Sequence, residues 1–185
     1  MANEAIYYIK KVLNEEIQND IIEVNSIIYD TRVSPIYSVK GEKTGYMGVS
    51  MDITERIKAE RELKKFRLVL DQAPGAVFIM DKFWNFEYIN PFFTQMSGYT
   101  SEELLHKNIR DTLYKGVTDV PESRKEIIAN LLQGKNWNGE LLTIHKSGEK
   151  YWANTIASPF KNEKGEIDGY VVIQQNITEK KRMEL

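Results

Sequence analysis

The sequence predicts an α+β fold, a five-stranded antiparallel sheet with short helices on one face and linker helices at its flanks. Three observations lead there. From Ala76 onward the chain runs strand, strand, short helices, longer helix and three strands, with turn residues at each reversal. The stretch TERIKAERELKKFRLVLDQA has neither Gly nor Pro and is dense in Glu, Arg and Lys, as a surface helix is. Residues 31–57 recur as residues 155–181 without a gap.

The repeat is the firmest of the three. Eleven of its 27 positions are identical, including Thr31, Ser34, Pro35, Lys40, Gly41, Gly45, Tyr46 and Thr54 against Thr155, Ser158, Pro159, Lys164, Gly165, Gly169, Tyr170 and Thr178. Two copies of one module in series account for it. The first copy has no room for opening strands and short helices. The chain is therefore either a piece of a larger protein or carries a natively reduced first module.

Each element has a local reason. Ile6, Ile9, Leu13 and Ile17 make an apolar stripe, so residues 4–17 read as a helix. The β-branched run from Asp20 reads as strands near 20–25 and 27–37, with Pro35 near an edge or bulge. SVKGEKTG is a turn and YMGVSMDI a third strand. In the charged helix that follows, Ala59, Leu63, Phe66 and Leu70 recur at four, three and four, a seam suited to a second copy in a parallel dimer. AVFIMD and FEYIN are strands; Asn90 caps a short helix that Pro91 opens and Gly98 closes. Thr100 or Ser101 caps the next, and ESRKEIIANLLQG is the longer helix, with Ile127, Ile128, Leu131 and Leu132 apolar. Three strands follow, turned at Ser147-Gly148 and Lys164-Gly165.

Composition excludes much. With 185 residues, Lys+Arg 25 against Asp+Glu 27, and net charge −2, nothing favours a nucleic acid or an anionic membrane as partner. The absence of cysteine removes disulfides, thiolate metal sites and cysteine nucleophiles. No signal peptide or long apolar run is visible, so the expectation is a cytoplasmic protein without direct membrane contact. Asp71, Asp81, Asp111 and Asp119 are scattered, no catalytic triad or phosphate loop appears, and neither histidine, His106 or His145, has a companion metal ligand. No enzyme and no metal site is expected in this chain.

The strings FRLVLDQAPGAVFIMD, FEYINPFFTQMSGYTSEELLHKNI, W-x-G-E at 137–140, KSGEKYW and SPFKNEKGEIDGYVVIQQNIT resemble a PAS domain, the sensor module of signalling proteins such as sensor histidine kinases. MDITERIKAE closes the first copy with the Asp-Ile-Thr ending typical of the family; the second copy has Asn176-Ile177-Thr178 instead. The implied organisation is the C-terminal part of a preceding PAS domain over 1–55, a linker helix over 56–72, a complete PAS domain over 73–178 and the start of an output helix from 179. At each ending a side chain of Asp52, Thr54, Asn176 or Thr178 can cap the outgoing helix, with Glu55 or Glu179 in its first turn.

The resemblance implies a cavity between sheet and helices. Its expected lining is Ile79, Phe93, Ile109, Leu132, Trp137, Leu142, Asn154, Ile156, Ile173 and Gln174, with Tyr88 and Tyr99 as further wall or lid. Light-oxygen-voltage relatives carry a Gly-x-Asn-Cys-Arg-Phe motif; here Ile109 stands in place of the reactive cysteine, so photoadduct chemistry is excluded. Thr143 and Ala153 replace the two asparagines that hold their flavin, whereas Gln174 matches their final-strand glutamine. Trp137 in GKNWNGE is similar to redox-sensing relatives that hold flavin without cysteine. The longer helix lacks the axial histidine of haem-binding relatives. The expectation is therefore no resident cofactor, with flavin and haem disfavoured and the choice between a small organic ligand and a core filled by these side chains left open. The first functional reading is a relay module that reorients its linker helices to regulate an effector such as a histidine kinase, as a homodimer through the linker helix. The alternatives are a ligand-free interaction and dimerisation module, or a flavin or haem redox sensor.

Overall fold

The computed structural model describes residues 19–114 and 121–183, and the chain divides into two compact units, residues 1–66 and 67–185. The helix read over residues 4–17 lies outside the described residues.

The first unit is an antiparallel sheet in the order β1-β2-β3, from strands β1 (Asn19–Val24), β2 (Ile27–Tyr37) and β3 (Lys43–Asp52). Asn25 and Ser26 both take positive φ, the backbone twist that joins two antiparallel strands by two residues. Strand β3 runs into helix α1 (Thr54–Asp71).

The second unit holds a five-stranded antiparallel sheet in the order β5-β4-β8-β7-β6. Strands β4 (Ala76–Asp81) and β5 (Phe86–Ile89) open it. Then come helices α2 (Pro91–Ser97), α3 (Ser101–Leu104) and α4 (Glu122–Leu132). Strands β6 (Trp137–Ile144), β7 (Lys150–Lys161) and β8 (Ile167–Asn176) follow, and α5 (Thr178–Met183) leaves the sheet. The three helices bury one sheet face around Phe78, Met80, Phe86, Phe93, Leu104, Leu131 and Tyr170. Phe78 and Phe93 tilt together at 4.8 Å, and Trp84 stacks on Tyr170 at 4.2 Å.

Asn90 is the knot of this unit. Fully buried, its Oδ1 accepts from the N–H of Phe93 in the first turn of α2 and from Val77 in β4, both at 2.9 Å. Its amide donates to the carbonyls of Leu70 and Gly75. One side chain thus caps α2 and fixes where α1 ends and β4 begins. Gly98 closes α2 at φ 76, and an added Cβ would also meet the His145 ring at 2.3 Å. The Thr100–Glu103 capping box starts α3.

The repeat is structural as well as sequential. The pairing Tyr29↔Asp52 of β2 and β3 recurs as Ala153↔Asn176 in β7 and β8. A bulge falls between Ile36 and Tyr37 in one copy and between Phe160 and Lys161 in the other. Gly41 and Gly165 turn both hairpins at φ 81 and 79. Pro159 sits where β7 has run past its last pair with β6, at Ala157, so among the described residues no partner on that side needs the missing N–H; Pro35 holds the equivalent position in β2.

Candidate ligand cavity and helix junctions

Strand alternation decides what faces the helices. On β8, Tyr170, Val172 and Gln174 point inward; on β7, Tyr151, Ala153, Thr155 and Ala157 do. Phe78 and Met80 of β4 and Leu141 of β6 complete the floor. Ile127, Ile128 and Leu131 of α4 form the roof, with Ile109 and Trp84 at one side. Between them lies a cavity of about 90 Å³, room for a small planar group or a few waters.

Polar groups are few and placed together. Gln174 and Thr155 are paired neighbours across β8 and β7, both buried, and the Gln174 amide donates to Thr155 Oγ at 3.1 Å. Tyr114, Arg110 and Arg124 complete the polar lining. The Arg124 guanidinium lies over the Tyr114 ring at 4.1 Å. Burial raises the Tyr114 hydroxyl pKa, and the nearby Arg124 charge pulls it back toward ionisation. A smaller hollow of about 30 Å³ adjoins, sharing Phe78, Tyr114, Arg124 and Gln174 and reaching Ser97, Thr143 and Tyr151.

Of the ten residues expected to line the cavity, Phe93, Ile109 and Gln174 do so. Trp137 is buried at the inner face beside Gly139, outside both hollows; a Cβ on Gly139 would lie 2.6 Å from its ring. Ile79, Leu142, Asn154, Ile156 and Ile173 are a correction: each is one position out of phase and faces away from the helices. Leu132 is corrected too, lying on the exposed side of α4 at 58% exposure. Tyr88 is not a cavity wall either. Its hydroxyl donates to Asp71 Oδ1 at 2.6 Å, and burial followed by that carboxylate raises its pKa. Tyr99 lies half-buried beyond the cavity. Reading residues by type missed Tyr114 and Arg124, although Arg124 falls on the same helical stripe as Ile127, Ile128 and Leu131.

The two helix junctions share one design. Asp52 Oδ1 accepts the Thr54 N–H at 2.9 Å, and Asn176 Oδ1 accepts the Thr178 N–H at 2.9 Å. The threonine hydroxyls turn back to the sheet: Thr54 Oγ accepts from Ile28 N–H, and Thr178 Oγ from Trp152 N–H. Each helix start is thereby bonded to the adjacent strand as well as to its own. They differ in charge. The Thr54 hydroxyl also donates to Asp52 at 2.6 Å, and that bond, with the Thr54 N–H, lowers the Asp52 pKa. Along α1, Ala59, Leu63 and Phe66 are exposed and Leu70 is half-buried. Among the described residues no His, Asp or Glu cluster could hold a metal, and no helix is long and apolar enough to cross a membrane.

A sheet of this order, covered on one face by short helices and ending in a capped outgoing helix, defines a sensor-type α+β module. The PAS domain model matches residues 74–179, and the chain belongs to that family, whose domains are non-catalytic signalling modules. It is 30% identical over 113 residues to the nitrogen fixation regulatory protein of Klebsiella pneumoniae, covering 61% of this chain and 22% of that protein. It is 30% identical over 95 residues to the blue-light-activated histidine kinase of Rhizobium johnstonii, covering 51% and 27%. The chain thus spans about a quarter of these relatives' length. A structure described as a flavin analogue shedding light on light-oxygen-voltage domain mechanism superposes with TM-score 0.54 at 20% identity, over 65% of this chain and 90% of that one. These relatives overturn the expectation that flavin is disfavoured and no cofactor is held: the matched light-oxygen-voltage structure is itself described by its flavin.

Proposed function

We propose that residues 73–178 form a sensor module that holds a flavin between α4 and the sheet and works without a cysteine adduct. The donor set of the cavity carries this reading. It is an apolar slot with a buried glutamine on its floor and two guanidiniums, Arg110 and Arg124, on its walls. A flavin brings an apolar ring, a polar ring edge and, in its nucleotide forms, phosphate. Gln174 would hold the ring edge, Ile109, Ile128 and Leu131 would pack on the ring, and the arginines are the cations available to phosphate. When bound, the flavin supplies reversible electron uptake. With no cysteine in the chain, and Ile109 at the adduct position, the signal is a change of redox or binding state. Thr143 and Ala153 offer the ring edge fewer amides than asparagines would, and the cavity is smaller than the ring system. Loading would require α4 to move outward from the sheet.

A change at Gln174 reaches Thr155 directly and then runs along β7 and β8 to the bonds that hold Thr178. The output is a reorientation of the helix beginning there, acting on an effector elsewhere in a longer protein, a histidine kinase in one setting. The first unit reads as the end of a preceding PAS domain, supported by its matching register and junction, and α1 pairs with its copy in a homodimer through Ala59, Leu63, Phe66 and Leu70. Absorbance and native mass spectrometry on one purified sample test the flavin. The expected result is added flavin mass with visible bands that bleach on chemical reduction and form no adduct under light. A chain that stays apo after incubation with riboflavin, flavin mononucleotide and flavin adenine dinucleotide refutes it.

A further inference from the structure

Arg124 is only 9% exposed and lines both hollows of the cavity. Among the described residues no carboxylate lies within ion-pair distance of it, and its described partner is the face of the Tyr114 ring. Burying a cation without a counter-charge is costly, and an apolar residue of similar volume usually packs such a site better. Its place makes the cost plain: three, four and seven residues on are Ile127, Ile128 and Leu131, so Arg124 interrupts the apolar face of α4. The Tyr114 ring face offsets only part of that cost. Among the described residues no acidic side chain lines either hollow, whereas a second cation, Arg110, lines the larger one.

We propose that the cavity takes a ligand with an oxyanion on an apolar body, and that the Arg124 guanidinium is the group that meets the oxyanion. This rests on the reading of the cavity as a ligand site and adds the charge class of what enters it. Arg is suited to the task because its planar fork bonds a carboxylate or phosphate through two N–H groups at once. The oxyanion has two sources, the phosphate of a flavin nucleotide or the carboxylate of a small free acid.

Calorimetric titration of the full chain with two matched pairs separates them: flavin mononucleotide against riboflavin, and benzoate against benzamide. The expected result is a preference for the charged member of at least one pair by roughly tenfold to a hundredfold, the range of a charge-assisted bond. Arg124→Met removes that preference, and Arg124→Lys keeps part of it. Preference in the flavin pair names the phosphate. Preference in the benzoate pair, with neither flavin bound, keeps the oxyanion proposal and ends the flavin reading. Equal binding of the two flavins with benzoate inert does the reverse. No binding of any probe overturns both. Thermal melting of the free proteins adds a readout that a purely structural arginine would move the other way: Arg124→Met melts at the same temperature or higher than the parent. A clearly lower melting temperature would assign Arg124 to packing and overturn the proposal.

Discussion

Asn90→Ala should destabilise the second unit by about 3 kcal/mol. Two parts make up the figure. Loss of the cap on α2 costs about 1 kcal/mol. The Val77 N–H, buried in β4, is left without an acceptor, which costs about 2 kcal/mol more. The carbonyls of Leu70 and Gly75 lie nearer solvent and add little. For a unit of this size the total lowers the melting temperature by about 10 °C. Thermal unfolding followed by circular dichroism reads it. Asn90→Asp is the companion: it keeps the acceptor for Phe93 and Val77 but turns a carboxylate oxygen toward two carbonyls that now receive a donor. It should be destabilised too, showing that both ends of the amide act. A fall of under about 3 °C for Asn90→Ala would mean that water takes over the bonds, and Asn90 would not hold the unit together.

Other consequences are quicker to test. Asp52 has its folded pKa depressed by the Thr54 hydroxyl and N–H, so its contribution is fully present above the ordinary value of 3.8 and is lost as pH falls through the lower folded value. Thr54 amide protection, followed by NMR, should fall in that acid window while Thr178, capped by Asn176, stays level; Asp52→Asn should abolish the difference. Leu63→Glu or Phe66→Glu should weaken self-association through α1, shifting the sedimentation profile toward monomer, and an unchanged profile would remove the seam from consideration. Tyr88→Phe removes one hydrogen bond to Asp71 and should cost about 1 kcal/mol by chemical denaturation. A cost near zero would mean that the Asp71 contact does not help anchor the end of α1. Thr178→Val leaves the Trp152 N–H without its acceptor and should speed exchange of that amide with little change in global stability.

Much of the architecture was legible because its signals are local. Asn90-Pro91, Gly98, Thr100 with Glu103, and the repeated turn glycines each act within a few residues, and each holds the position its chemistry predicts. The cavity was less legible because both faces of the sheet carry large apolar residues. Leu142, Trp152, Ile156 and Ile173 are 37–46% exposed on the outer face, whereas the inner face of β7 carries small Ala153, Thr155 and Ala157 to make room for the helices. Bulk therefore pointed to the wrong side. Ile173 and Gln174 are adjacent in a strand, so they cannot both face one cavity. Fixing Gln174 inward places Val172 inward and, across the ladder, Thr155 in place of Asn154 or Ile156. Arg124 was passed over because a charged residue on a helix reads as solvent-facing until its phase against Ile127, Ile128 and Leu131 is counted.

Pro159 also limits how its sheet can grow. It stands on a stretch of β7 that has no partner on the β6 side among the described residues, where a strand from another molecule could be added. Proline presents no donor to such an arrival, and the bulge that follows at Phe160/Lys161 twists the strand away from a flat template. Proline and bulge together guard the five-stranded sheet against fibrillar association at the ladder that β6 leaves open.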